Sequence, residues 1–308
     1  MSHHVVVGAG PVGRATAAEL VRRGHEVVLA SRSGTGPEIA GVRRAAADAA
    51  DADVLTKLVD GAEAVYNCVN PPSYHIWPIY WPPIAEALAT TAERTGAVLA
   101  VTGNLYPYGP VDVPMTEDLP DAAIGVKGAL RAHMWADLER RHREGLLRAV
   151  EVRGSDYMGP GVTEAHIPIA AKRAVAGKTA RVFGDPSALH SMTDVRDMAT
   201  ALVTVATEPT AWGRVWHAPT NPARSQADTL ADVCRAVDRA PVTVRSWPGA
   251  MLSVGGIVVP FLREMRETAY QFQRDYVLDS SAITEAFGLT ATPWDEVCRA
   301  TGEVALSA

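Results

Sequence analysis

Short apolar runs alternate along the first half of the chain with longer stretches of helical spacing. The run His4–Val7 predicts a strand, and Arg14–Arg23 predicts a helix closed by Gly24. Further strands are predicted at Glu26–Ala30, Val42–Ala46, Ala64–Val69, Ala97–Thr102 and Leu147–Arg153. Between them lie helices at Asp53–Val59 (ended by Gly61), Ile84–Arg94 and Gly128–Glu144. Strands that alternate with helices of about ten or more residues predict parallel βαβ units, hence an α/β, doubly wound parallel sheet. After Gly159-Pro160-Gly161 the pattern changes. A helix is expected over Pro168–Ala176, a βαβ-like piece recurs at Met192–Ala206 and Arg214–Ala218, and the rest is helical and irregular. The expected division is a nucleotide-binding domain over 1–155, with a return segment near 188–218, and a smaller, discontinuous C-terminal lobe over 156–308 that binds substrate.

Composition narrows the class. The 308 residues are 47% hydrophobic, enough for one large domain or two interlocked ones. With 29 basic and 35 acidic residues the formal net charge is −6, which argues against nucleic acid as a partner. No apolar run reaches the roughly 20 residues a bilayer demands. The longest, Met251–Leu262, is expected to cap a pocket or pack on the core. The N-terminus lacks a basic leader, and Cys68, Cys234 and Cys298 are too widely spaced for a disulfide framework or a zinc site. A soluble, cytoplasmic protein without membrane or metal is expected.

The strongest motif is Gly8-Ala9-Gly10-Pro11-Val12-Gly13, directly after a strand and at the start of a helix. There, Gly8 permits a tight turn, Gly10 lets backbone approach a pyrophosphate, and Gly13 lets helix and strand pack closely. The helix N-terminus adds free N–H groups and positive dipole. Sites that prefer NAD place an acid at the end of the second strand. This chain has Ser31-Arg32-Ser33 there and no acid before Glu38, a composition suited to a 2′-phosphate, with Arg14 as a second positive charge. NADP(H) is therefore expected in preference to NAD(H).

Several further stretches, taken in order, carry a family resemblance. They are the glycine loop, Asp48 with Asp51, Val69-Asn70-Pro71-Pro72, and Tyr108-Gly109 followed by Met115-Thr116-Glu117-Asp118. Asp156-Tyr157-Met158-Gly159-Pro160 and the stretch from His190 to Ala199 complete the set. With these the chain resembles the extended short-chain dehydrogenase/reductase family, in particular its NAD-dependent epimerase/dehydratase group, over nearly its whole length. The resemblance implies a Rossmann domain in which Asp48 sits by the adenine and Asn70 and Pro71 run under the nicotinamide ribose.

The catalytic motif of that family, Tyr-x-x-x-Lys on the long helix with a Ser or Thr at the end of strand five, has departed. At the matching spacing stand Lys127 and Arg131, and the Ser/Thr position falls on Asn104 or Thr102. Three accounts follow. Lys127 handles the proton, helped by Arg131 one turn away; or Tyr106 or Tyr108 does so from the strand-five loop, with Arg131 holding the ribose; or the chemistry is lost. The first two accounts fit an NADP(H)-dependent oxidoreductase or epimerase-like enzyme with an atypical active site acting on a small carbonyl or alcohol; the alternatives are a non-catalytic NADP(H)-sensing protein and a non-redox cyclase or dehydratase.

On the substrate side, residues 73–83 hold His75, Trp77, Tyr80 and Trp81, which suit the wall of a flat or hydrophobic ligand. Tyr106 and Asp156 join them as candidate substrate contacts. A homodimer through the helices 84–94 and 128–144 is what the family resemblance implies.

Overall fold

The computed structural model describes residues 1–71, 73–123, 125–247 and 266–308. The apolar stretch Met251–Leu262 lies outside the described residues, as does Pro72.

Seven strands form one sheet: β1 (His3–Val7), β2 (Glu26–Ser31), β3 (Val42–Ala46), β4 (Ala64–Asn67), β5 (Val98–Asn104), β6 (Arg148–Gly154) and, after a short strand β7 (Asp156–Met158) and others of the lobe, β11 (Val215–His217). Their spatial order is β11-β6-β5-β4-β1-β2-β3, and every pair is parallel. Consecutive residues point to opposite faces of the sheet. Val5 and Val7 enter the layer formed with α2 (Ala52–Val59), α3 (Trp77–Thr95) and α4 (Val126–Arg143), while Val6 enters the layer of α1 (Pro11–Arg22) and α6 (Val195–Thr207). Along the central strands β1, β2, β4 and β5 both faces are covered, which is why these read as mostly apolar runs rather than alternating ones. The chain reverses its winding between β1 and β4, so a crevice opens at the carboxyl ends of those strands.

The lobe is built on α5 (His166–Val175), β8 (Ala180–Val182), β9 (Leu189–His190), β10 (Met192–Asp194), β12 (Arg224–Ser225), α7 (Gln226–Ala236) and β13 (Val244–Ser246). After these come α8 (Tyr270–Gln273), α9 (Ser281–Phe287) and α10 (Trp294–Leu306). Ile167, Val182, Leu230, Val233 and Val297 form its own apolar core. The lobe is discontinuous, because α6 and β11 leave it to complete the main sheet and its covering layer.

The largest departure from the expected elements concerns residues 77–83, which precede the helix expected over Ile84–Arg94. They are the first two turns of α3, which runs through Pro82 and Pro83. Trp77 and Trp81 stand one helical turn apart and are buried on the sheet side, at 3% and 2% exposure. The prolines fall on the solvent face, where water can satisfy the carbonyls of Pro78 and Ile79 that lose their helical donors. Burial of two indoles outweighs the proline penalty. α1 likewise begins earlier than expected, at Pro11, because proline at the first helical position loses only a donor that would be unsatisfied anyway.

His4 lies fully buried in β1, with Nε2 3.0 Å from Ser2 Oγ and Nδ1 3.2 Å from Tyr66 Oη. Burial, aided by the neighbouring His25, pushes its pKa down to about 4. The folded protein thus resists a proton that the unfolded chain accepts near pH 6.5, and stability present above that pH is lost as pH falls through about 4. Asp197, raised to about 6 by burial, pulls the other way over much of the same interval. A comparison with His4→Gln removes that contribution, since both proteins share it. Urea denaturation is expected to show the stability advantage of wild type over His4→Gln shrinking by about 2 kcal/mol between pH 7 and pH 4.5.

Candidate functional site

The glycine loop closes the carboxyl end of β1. Gly8 adopts φ +108°, and a Cβ there would lie 2.5 Å from the Cys68 carbonyl oxygen. A Cβ on Gly13 would lie 1.8 Å from the Gly8 carbonyl oxygen. Gly10 differs: it caps α1 without a side-chain hydrogen bond, and a Cβ on it would meet nothing within 4 Å. The first N–H groups of α1 therefore face open space that two glycines hold open and the third leaves unobstructed, a cradle that fits a dinucleotide pyrophosphate. Pro11 opens the helix, and Val12 packs in the core. At the carboxyl end of β2, Ser31 is half-buried and Arg32 and Ser33 are exposed. Ser33 Oγ lies 2.7 Å from Thr35 Oγ1. Asp48 follows β3, exposed, accepting from the Ala50 N–H at 3.0 Å. Asp51, grouped with it in sequence, instead caps α2 through the N–H groups of Asp53 and Val54. Asn70 is exposed and Pro71 buried after β4. All these groups lie at one edge because the strands are parallel.

The same edge carries the first turns of α4. Gly128 lets that helix sit against the turn at Tyr106–Tyr108, since a Cβ there would lie 2.5 Å from the Tyr106 carbonyl oxygen. This contact seats Lys127 and Arg131, which are 2% and 5% exposed. Lys127 Nζ donates to Glu267 Oε2 at 2.9 Å and stands 5.4 Å from the Tyr74 ring centre. The Lys127 backbone N–H donates to Glu267 Oε1 at 2.6 Å. Arg131 donates to the Thr102 carbonyl at 2.5 Å and lies 4.8 Å from the Trp81 ring centre. Burial pushes the Arg131 pKa down, while the carboxylate of Glu151 opposes that loss of charge. Thr102 Oγ1 donates to Cys68 Sγ at 3.6 Å, and Asn104 Oδ1 accepts from the Tyr106 N–H at 3.2 Å.

Tyr108 is committed elsewhere. Its hydroxyl lies 2.7 Å from His217 Nε2, the Arg153 guanidinium stands 4.7 Å from its ring centre, and the side chain is 1% exposed. Arg153 in turn holds Asp121 through two bonds of 2.6 and 3.0 Å. This buried network anchors the loop before α4 and gives Tyr108 a protein partner in place of a substrate.

Opposite the cations stand aromatic and acidic groups. Tyr74 and Tyr106 hydroxyls are 2.9 Å apart, and burial raises both phenols, that of Tyr106 well above its ordinary value. Asp156, on β7, places Oδ2 3.1 Å from His190 Nε2 on β9. Trp77 packs in the core beneath Tyr74 and Tyr106, so it supports the site from below. His75 and Tyr80 are exposed at the start of α3, Tyr80 at 44%, and join neither group. Sequence reasoning passed over His190 and Tyr276 as site residues, while Tyr74 fell within the aromatic stretch 73–83 and His166 was a weak candidate. His190 opened a stretch valued only as a return strand, and Tyr276 had no motif around it at all.

A family model described as the NAD dependent epimerase/dehydratase family matches residues 4–216. Among solved structures, the UDP-glucose 4-epimerase of Thermotoga maritima with UDP-glucose is similar at 18% identity, covering 99% of each chain with a TM-score of 0.78. A Bordetella bronchiseptica enzyme in complex with NAD+ is 19% identical over 97% of each chain, with a TM-score of 0.74. The dTDP-glucose 4,6-dehydratase of Bacillus anthracis with NAD is 13% identical over 100% of this chain and 97% of its own, with a TM-score of 0.79. At these identities the likeness is one of fold. Among curated proteins none matches.

The three glycines give separable outcomes. Gly10→Ala is expected to keep thermal stability within about 0.5 kcal/mol while weakening dinucleotide binding at least about tenfold. Gly13→Ala is expected to lower both, with a stability loss of about 1–3 kcal/mol from forced repacking. Thermal unfolding and energy transfer from tryptophan to reduced nicotinamide read the two effects.

Proposed function

The chain belongs to the NAD dependent epimerase/dehydratase family, and we propose that it is an NADP(H)-dependent oxidoreductase or epimerase-like enzyme acting on a small carbonyl or alcohol. The observation that carries this reading is the pair of buried cations, Lys127 and Arg131, seated at the carboxyl ends of the strands beside the glycine cradle. A bound nicotinamide would supply hydride chemistry. Arg131, fixed by the Thr102 carbonyl and the Trp81 face, holds a ribose hydroxyl or polarises a carbonyl. Lys127, fixed by Glu267, offers a buried positive charge to an oxygen that becomes negative during the reaction. Such a preorganised donor is worth about 10²–10³ in rate. Asp48, Asn70 and Pro71 complete the cofactor contacts of the proposal, and a homodimer through α3 and α4 belongs to it.

Preference for NADP(H) is supported by Arg32 between Ser31 and Ser33, with no acid at the end of β2. Because Arg32 is exposed, its guanidinium is free to meet a 2′-phosphate without first breaking a core contact. NADPH is expected to bind more tightly than NADH. Arg32→Ala should weaken NADPH about 10–100-fold, as loss of one charge-assisted bond does, and leave NADH within about threefold. Equal binding of the two cofactors by wild type defeats the assignment.

Catalysis is tested by single substitutions in a carbonyl-reduction assay with NADPH. Lys127→Met is expected to lower kcat about 100-fold with little change in NADPH affinity. Tyr108→Phe, which removes a hydroxyl bound to His217, is expected to cost about 1 kcal/mol of stability and leave kcat within a few-fold.

A further inference from the structure

Tyr74 and Tyr106 share one hydrogen bond and own two hydroxyl hydrogens. Their oxygens lie 2.9 Å apart, and neither hydroxyl has another hydrogen-bond partner among the described residues. One such contact holds only one hydrogen, so the second points away from the pair. Packing decides which phenol keeps it. Tyr106 is buried in the turn after β5, its ring centre 6.3 Å from that of Trp77. Tyr74 is half-buried, three residues beyond Pro71 on the segment that leaves the carboxyl end of β4. Were Tyr74 to donate inward, the Tyr106 hydrogen would be buried without an acceptor, at a cost of about 1–3 kcal/mol. Tyr106 is therefore the donor of the shared bond, and the Tyr74 hydrogen is left to be donated outward.

The groups around Tyr74 favour its ionised form more than its neutral one. Lys127 Nζ stands over the Tyr74 ring, 5.4 Å from its centre, and is itself held by Glu267 at 2.9 Å. A cation there attracts a phenol weakly and a phenolate strongly, because the negative charge spreads into the ring. The bond from Tyr106 acts in the same sense, since a hydrogen bond to an ionised oxygen is about twice as strong as a neutral one. Both interactions grow as the hydrogen leaves, which is the differential a general acid needs. Trp77 meets the Tyr74 ring edge-on at 5.0 Å and fixes its plane. Burial raises the Tyr74 phenol above its ordinary value, and the charge of Asp156 adds to this against the bond from Tyr106. The hydroxyl thus keeps its hydrogen at neutral pH until an alkoxide, which is more basic still, forms beside it.

We propose that Tyr74 is the proton donor to the oxygen of a carbonyl substrate, with Tyr106 as the positioning residue behind it and Lys127 as the charge that steadies its phenolate. This assignment rests on the oxidoreductase reading above. In reduction the carbonyl carbon accepts hydride from a reduced nicotinamide, and the C=O π pair becomes a lone pair on oxygen. That lone pair takes the proton of Tyr74 Oη: the phenol O–H bond breaks, leaving its electron pair on Oη, as the alcohol O–H bond forms. The phenolate, held by Tyr106 and Lys127, regains a proton from solvent. Oxidation of the alcohol is the reverse. The donor comes from the segment after β4, not from the long helix α4.

The test uses the full chain and 4-nitrobenzaldehyde as the carbonyl probe, with NADPH affinity measured beside it. Tyr74→Phe is expected to lower kcat for its reduction about 10²–10³-fold, with NADPH affinity within twofold of wild type. Tyr106→Phe is expected to lower kcat about tenfold, as loss of one bond to an ionised oxygen does. A second reading needs no turnover: the infrared carbonyl stretch of the probe, carbon-13 labelled and bound to the NADP+-loaded protein. Wild type and Tyr106→Phe are expected to move that stretch to lower frequency, and Tyr74→Phe to leave it where the free aldehyde has it. The proposal is overturned by a kcat for Tyr74→Phe within threefold of wild type, or by a shift that survives Tyr74→Phe. Wild type that binds NADPH and leaves the stretch unmoved overturns it equally. Failure of wild type to bind NADPH overturns the oxidoreductase reading instead.

Discussion

Among the described glycines the tightest approach is between α1 and the turn that precedes it. A Cβ at Gly13 would stand 1.8 Å from the Gly8 carbonyl oxygen, and one at Gly8 would strike the backbone of Cys68 and Val69. Because neither side chain exists, α1 can lie flat against the central strand with its amino end at the carboxyl edge of the sheet. Everything chemical depends on that seat. It places the positive end of the helix dipole in the crevice between β1 and β4. The remaining strands, being parallel, then deliver Ser31, Asn70 and Thr102 to the same edge, and Asp156 follows just past the end of β6.

The second feature is the amount of charge this edge buries. Lys127, Arg131, Glu151 and Arg153 are all 5% exposed or less. Unpaired, each would be strongly destabilising, and the structure answers with partners: Glu267 for Lys127, a backbone carbonyl and an indole face for Arg131, and Asp121 for Arg153. Glu151 lies in the field of Arg153 and Arg131, which works against the upward push of burial on its pKa. Such pairs contribute little net stability. What they confer is geometry, since a cation locked in a dry site needs no reorganisation when charge develops beside it.

Most of the fold was legible in the sequence because its cause is local. Apolar runs of strand length bounded by glycine are strands in any context that covers both faces, and the glycine loop carries its own backbone requirement. The errors fell where distant contacts overrule local preference. Pro82 and Pro83 argue against a helix, yet Trp77 and Trp81 are buried by a sheet face that local sequence does not contain. The Tyr108 hydroxyl likewise meets His217 Nε2 at 2.7 Å, a partner 109 residues away that no local pattern announces.

By itself the sequence determined the alternation of strands and helices, the glycine cradle, the absence of an acid at the end of β2, and the absence of any Tyr-x-x-x-Lys spacing. Each is a property of a few neighbouring residues or of a periodicity. Only the tertiary structure decided which side chains share the site. Asp156 and His190 are separated by more than thirty residues, joined by the parallel pairing of β7 with β10 just beyond His190. Gln271, which sets the tautomer of His190, arrives from a third segment. The 3.1 Å contact of Asp156 with His190 is written in neither local stretch, because it exists only once β7 and β10 have paired.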